Sequence, residues 1–307
     1  MLLAFLKEAG TFVLIMLAML AVVILLGIVS SYIHLAIDRA KRRKRRANGQ
    51  RSSMASHVRG RMTRMARPTL LLTPTREPRF SKLGGEPELP PSLDWPAGEK
   101  EPRAFLAQAD LAEVHAAGGP DWLPDNGKMY AFYDDYRAGF PDYVRILFSA
   151  DPAGPAMTTP SGVATKLRFP ERRADFLTLR SMPSLDWLGI DPRELDDDEA
   201  WDELSSLSDE PFGDELQHRI GGYPSEIQEE QMALSCEYLA RGLVWKGEEV
   251  PPAIERASKT WRLLLQIDSD PALKMNWGDG GRLYVFIREK HARAGDFSKT
   301  VTLFQCY

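Results

Sequence analysis

Apolar and polar residues follow four different patterns along the chain, and each predicts a different element. Thr11 to Ile37, TFVLIMLAMLAVVILLGIVSSYIHLAI, runs for 27 residues without one Asp, Glu, Lys or Arg. As a helix it would extend roughly 40 Å, against ~30 Å for the hydrocarbon core of a bilayer, so the pattern predicts a single transmembrane helix within residues 1–37. Residues 38–80 are first basic, then rich in Pro and Thr, with no sustained helical period, and read as a linker. Beyond residue 81 a period of two takes over. In WRLLLQID, Trp261, Leu263, Leu265 and Ile267 alternate with Arg262, Leu264, Gln266 and Asp268. In RLYVFI, Leu283, Val285 and Ile287 alternate with Arg282, Tyr284 and Phe286. Both patterns predict strands with one fully apolar face. The fourth pattern, Gly189 to Leu216, carries twelve acids and one Arg, and reads as an acidic insertion over 189–216 with short helices.

The strand-bearing region repeats itself. KLGGEPELPPSLDWP, AFLAQADLAE and PDNGKMYAFYDDY are answered by HRIGGYPSEIQ, RLLLQIDSDP and GDGGRLYVFI. Gly84 and Gly85 match Gly221 and Gly222, Gln108 and Asp110 match Gln266 and Asp268, and Gly127 with Tyr130 matches Gly281 with Tyr284. The repeat spans about 82–150 and 218–307. It predicts an α+β fold of two related half-units with mostly antiparallel sheets, preceded by the transmembrane helix.

Charge sharpens the topology. The chain has a net charge of −4, but residues 1–51 hold nine Lys or Arg against two acids, so the remainder is strongly acidic. An acidic body repels a phosphate backbone, which argues against nucleic acid as a partner. The basic run DRAKRRKRRANGQR follows the apolar helix directly. By the positive-inside rule it sets a single-pass protein in the inner membrane with its C-terminal domain in the cytoplasm, next to an anionic leaflet. Two cysteines, Cys236 and Cys306, show no zinc or redox spacing, which suits a reducing compartment.

Candidate chemistry gathers in the second repeat. His218 stands just before RIGGYP, at the place of Lys82 in the first repeat, and reads either as an acid-base group in a groove between the halves or as a histidine bonded to its own turn. Asp268, Asp270 and Asp279 offer three carboxylates, yet turn chemistry accounts for two of them: Asp268 has Asp110 as its counterpart and Asp279 has Asp125. Asp270 is expected to cap PALKM. Gln108 and Gln266 are expected to satisfy backbone groups left open by a turn. Trp95 and Trp277, each beside turn residues, either line a ligand cleft or close the edge of a core. No nucleophile elbow, Walker-type loop, dinucleotide fingerprint or zinc spacing occurs, so no cofactor, metal or catalytic residue is assigned.

Taken in order, LGGEPELPPSLDWP, FLAQADL, GKMYAFYDD, HRIGGYP, LLLQIDSD, MNWGDGGRLYVFI and the closing QCY resemble the YwqG-like family of bacterial proteins. The resemblance runs from about Leu83 to Tyr307 and marks 81–307 as one YwqG-like α+β domain. It implies two related halves and supplies no reaction, cofactor or catalytic residue. Family members often lie near toxin and immunity genes, which suggests an immunity or regulatory setting. The resulting expectation is a membrane-anchored cytoplasmic binding module with a protein or peptide partner. The alternative is a metal-dependent hydrolase or small-ligand sensor that uses the groove between the halves, with His218, Asp268, Asp270 and Asp279 at its centre.

Overall fold

A computed structural model describes residues 50–135, 142–191, 195, 198–209, 216, 218–228 and 231–307. The expected membrane helix and the basic cluster at 38–46 lie outside the described residues, as does part of the acidic insertion. Among the described residues, no helix is long and apolar enough to cross a membrane. Two compact units are distinguished, Met1–Val58 with Pro192–Trp201, and Arg59–Asp191 with Asp202–Tyr307. Within the first, residues 50–58 and 198–201 are helical. The second carries the sheet.

Helix α1 spans Gln50–Met65 and leads into β1, Arg67–Pro74. The strands β2 (Lys82–Leu83), β3 (Ala104–Asp110), β4 (Lys128–Tyr133) and β5 (Val144–Ser149) come next in the chain, with helix α2 (Leu111–Ala116) after β3. They lead to β6 (Arg172–Ser181), helix α3 (Asp198–Asp209), β7 (Arg219–Gly221) and helices α4 (Met232–Leu239) and α5 (Pro252–Ser258). The chain closes with β8 (Trp261–Asp268), β9 (Arg282–Arg288), helix α6 (Glu289–Arg293) and β10 (Val301–Gln305). All ten strands form one sheet in the order β10-β9-β8-β7-β1-β6-β2-β3-β4-β5, with every pairing antiparallel. The outer strands nearly meet: Val144 N–H donates to Thr302 Oγ1 at 3.2 Å, and that hydroxyl donates to Val144 O at 3.3 Å. The sheet is therefore a nearly closed barrel.

This corrects the expected fold class. The domain is a mostly β structure built on one ten-stranded sheet with short helices, not an α+β pair of half-units each with its own sheet. The reason lies in the segment that reads as linker. Arg67–Pro74 pairs with β6 along its whole length, from Arg67 opposite Ser181 to Pro74 opposite Ala174. Its other edge holds β7, while β6 holds β2. Strands of two and three residues, β2 and β7, cannot carry a sheet edge alone. The long β1–β6 ribbon between them joins the two groups of four strands.

Alternation sorts the side chains of β9 as expected, while in β8 the expected face of Trp261, Leu263, Leu265 and Ile267 is divided between the two sides of the sheet. Leu265, Ile267, Leu283, Val285 and Ile287 share one apolar cluster with Ala107, Ala109, Met129 and Ala131 of the other group. Trp261, Leu263, Tyr284 and Phe286 face the other way, under Met232, Ala233 and Cys236 of α4. One extra residue, Leu264, lies in a bulge between Leu263 and Leu265, and the pairing of β3 with β4 shifts in the same way between Phe105 and Ala107. The space between the two groups of strands is thus a packed interior and not a groove. The gap lined by Leu72, Ala107, Met129 and Leu265 measures about 10 Å³. That is barely the volume of one water molecule's probe sphere.

Candidate functional site

His218 immediately precedes β7, and Asp270 sits two residues past β8, so sheet pairing alone brings them together. Asp268 N–H donates to His218 Nδ1 at 3.2 Å. With Nδ1 accepting, the ring proton sits on Nε2, which lies 3.1 Å from Asp270 Oδ2. Arg172, the first residue of β6, pairs with the same carboxylate oxygen. The other oxygen, Oδ1, accepts from Ala272 N–H at 2.9 Å and from Leu273 N–H at 3.4 Å, capping the helical turn Pro271–Leu273. Burial would push the Asp270 carboxyl up. The hydrogen bond from His218 and the charge of Arg172 outweigh it and hold the group well below the usual carboxylate range.

Asp268 takes a different role from the one its counterpart fills. Asp110 caps α2 by accepting from Ala112 N–H at 2.9 Å, and it pairs with Lys128 at 2.6 Å. Asp268 Oδ1 instead accepts from Gln266 Nε2 at 2.9 Å and faces Arg282 Nε at 3.3 Å, and the capping passes to Asp270. The glutamines do hold backbone groups. Gln108 Oε1 accepts from Glu88 N–H at 2.9 Å while its Nε2 donates to Phe80 O at 2.8 Å. Gln266 Oε1 accepts from Ser225 N–H at 3.0 Å. The register places Lys82 opposite Gln108 and Arg219 opposite Gln266. The residue that corresponds to His218 is therefore Ser81, not Lys82.

The remaining candidates disperse. Asp279 is exposed in its turn, where its carbonyl accepts from Tyr307 N–H at 3.2 Å. Trp277 is buried against Tyr133 and Phe169, with ring centroids 4.8 and 5.8 Å away. Trp95 packs on Phe132 and donates from Nε1 to Arg103 O at 2.8 Å. Trp277 belongs to the core, and Trp95 packs at its edge. Among the described residues, no group of three or more His, Cys, Asp or Glu side chains is placed to hold a metal ion. His218 and Asp270 are 2% and 0% exposed.

A concave site lies elsewhere, on residues that no sequence pattern singles out. It encloses about 310 Å³ where the end of α1, the start of β1, residues 186–189 and the facing ends of α4 and α5 come together. Arg61, Arg67, Trp187, Gln231, Ser258 and Lys259 are among its walls. Arg67 projects over the ring of Tyr223 at 4.1 Å, and Trp187 packs edge-on against the same ring at 5.3 Å. Burial pushes the Tyr223 hydroxyl up, and Arg67 opposes this only in part. No periodicity links these segments, so only the tertiary structure assembles them.

No curated protein matches the chain. A family described as a domain of unknown function, DUF1963, matches residues 81–306, which takes in β2 through β10 and leaves α1 and β1 ahead of it. The chain belongs to the DUF1963 family.

Proposed function

We propose that this protein is a membrane-anchored interaction module of the YwqG-like kind, held at the cytoplasmic face of the inner membrane and binding a protein or peptide. The observation that carries this reading is the state of its most reactive-looking group. His218 has both ring nitrogens engaged, Nδ1 by Asp268 N–H and Nε2 by Asp270, and Asp270 is further claimed by Arg172 and two backbone amides. A general acid or base needs a free nitrogen or oxygen within reach of substrate. The uncharged run Thr11–Ile37 and the basic residues after it support the anchor and its orientation.

Two measurements test the two parts. In membranes washed with alkaline carbonate, the full chain stays in the pellet, and a chain lacking residues 11–37 leaves it; a full chain released by the wash would remove the anchor. Partners cross-linked to the full chain in membranes survive His218→Gln. Turnover of any substrate by the full chain that disappears in His218→Gln would replace the binding module with an enzyme.

A further inference from the structure

The second group of strands has one basic end. Each neighbour in the order β1-β7-β8-β9-β10 runs antiparallel to the next, so β1, β8 and β10 begin at the end where β9 finishes. The segments that reach it, residues 255–262 and 288–299, carry seven Lys or Arg against three acids. The connection at the opposite end of β8 and β9, residues 269–281, carries one Lys against two Asp. Five of the cations, Lys259, Arg262, Arg288, Lys290 and Arg293, line a recess of about 460 Å³ together with one carboxylate, Glu289.

Pairing leaves this end positive. Glu289 is shared by Arg262 at 3.0 Å and Arg293 at 2.9 Å, and Glu237 of α4 is shared by Arg288 at 2.6 Å and Arg241 at 2.7 Å. Lys259 is matched by Glu255 at 2.9 Å, and Asp121 lies 3.9 Å from Arg293. Among the described residues, the side chains of Arg256, Lys290 and Lys299 have no hydrogen-bond or ion-pair partner, and all three are exposed. His291 registers the same field. Burial and Lys290 press its pKa below the usual histidine range, Arg288 and Lys299 add to this, and Asp296 opposes it only in part.

The position of this end along the chain names its counterpart. Residues 38–66, which include α1, are all that separates the uncharged run ending at Ile37 from Arg67 at the start of β1. The chain therefore enters the sheet at the basic end. Cations spread over a face suit a surface of many negative charges, and arginines in a recess suit phosphate groups.

We propose that this basic end docks the domain on anionic phospholipid headgroups, with the recess at Arg262, Arg288 and Lys290 receiving lipid phosphates. The inference gives the interaction module a lipid contact beside its protein or peptide partner, and it rests on the membrane anchor of that reading.

Acetylation of the full chain in proteoliposomes, by a reagent that cannot cross the bilayer, tests it. Lys290 and Lys299 are read by mass spectrometry, with Lys274, exposed between β8 and β9, as internal reference. Adding phosphatidylglycerol to phosphatidylcholine vesicles slows Lys290 and Lys299 at least about fivefold relative to Lys274, the factor for one basic residue near an anionic leaflet. Salt at about 1 M, with a screening length of ~3 Å, removes the difference. Lys290→Glu combined with Lys299→Glu, both at exposed positions, removes the lipid-dependent slowing at Lys259 as well. Unchanged rates at Lys290 and Lys299 on adding phosphatidylglycerol overturn the proposal, as does equal slowing at Lys274. So does equal shielding of both lysines in neutral micelles, which would place an acidic segment or another protein on the recess. A chain released by carbonate strikes the anchor, whereas a chain kept in the pellet with both lysines unshielded strikes the docking surface alone.

Discussion

The two outer groups of strands, β2–β5 and β7–β10, solve the same joining problem with different chemistry. In the first group, Ser81 Oγ accepts from Asp110 N–H at 3.1 Å and donates to Glu113 Oε2 at 2.6 Å. In the second, His218 Nδ1 accepts from Asp268 N–H at 3.2 Å and Nε2 reaches Asp270. In each case one side chain before a short strand links the end of the next long strand to a carboxylate just beyond it. The depth of burial differs. Glu113 is half-buried, and Asp270 is completely buried. Adjacent residues at the head of the central ribbon serve the two groups with opposite charges: Glu171 pairs with buried Lys82 at 2.8 Å, and Arg172 pairs with buried Asp270. The lesson is that a shared backbone plan leaves the polar contents free to diverge, provided that buried Lys82 and buried Asp270 each find a partner at the head of β6.

The sharpest way to break that comparison is to remove both carboxylates in turn. Asp270→Ala leaves Arg172 without its partner, His218 Nε2 without an acceptor, and the turn Pro271–Leu273 without its cap. The expected loss is about 3–5 kcal/mol by chemical denaturation. Glu113→Ala removes only a partner of Ser81, and about 1 kcal/mol is expected. Equal losses would mean that the two linkages carry the same load and that burial of Asp270 counts for nothing.

Acid offers a second probe of the same difference. The Asp270 carboxyl is depressed in the folded state, because its bonds to His218 and Arg172 outweigh burial. Its contribution is therefore present above the unfolded value, near ~3.9, and is lost as pH falls through the lower folded value. Between about pH 4 and about pH 2, the full chain should lose stability more steeply than Asp270→Asn, although the variant starts less stable at neutral pH. Parallel slopes would show that the carboxyl is not held low.

The exchange of His218 for serine comes next in size. Serine can still accept from Asp268 N–H, as Ser81 accepts from Asp110 N–H, but it cannot reach Asp270 as well. About 2 kcal/mol is expected for His218→Ser and about 3 kcal/mol for His218→Ala, the extra loss being the unpaired amide. Identical losses would show that the amide contact is not what position 218 supplies.

The repeated strands were readable because alternation and glycine turns are local signals. Gly222 illustrates the point: it has φ +77°, and a Cβ there would lie 2.0 Å from Thr69 Oγ1. Gly85 at φ +75° and Gly222, the second glycines of the two repeated pairs, are thus demanded by backbone conformation and close packing together. The central strand was not readable. Prolines at 68 and 74 make RPTLLLTP look like a tether, yet β7 pairs only with Thr69, Leu70 and Leu71, so neither proline faces that short strand. The His218–Asp270 contact joins residues 52 apart, and Arg172 comes from a third strand with no local mark. Whether such a cluster is open or closed depends on packing, which no spacing reports.

The smallest effect separates a turn aspartate from the buried ones. Asp279 groups in sequence with Asp268 and Asp270, but its exposed side chain contributes nothing to the network around His218, and its carbonyl holds Tyr307 N–H whatever side chain it bears. Gly278 and Gly280 on either side have φ +60° and +61°, so the turn's left-handed positions fall on glycines. Asp279→Ala should therefore change stability by less than about 0.5 kcal/mol, as for an ordinary surface site. The same substitution at Asp270 should cost several times more. A large loss at Asp279 would mean that the turn depends on its carboxylate. The three aspartates would then form one functional group after all, and the division between buried linkage and exposed turn would fail.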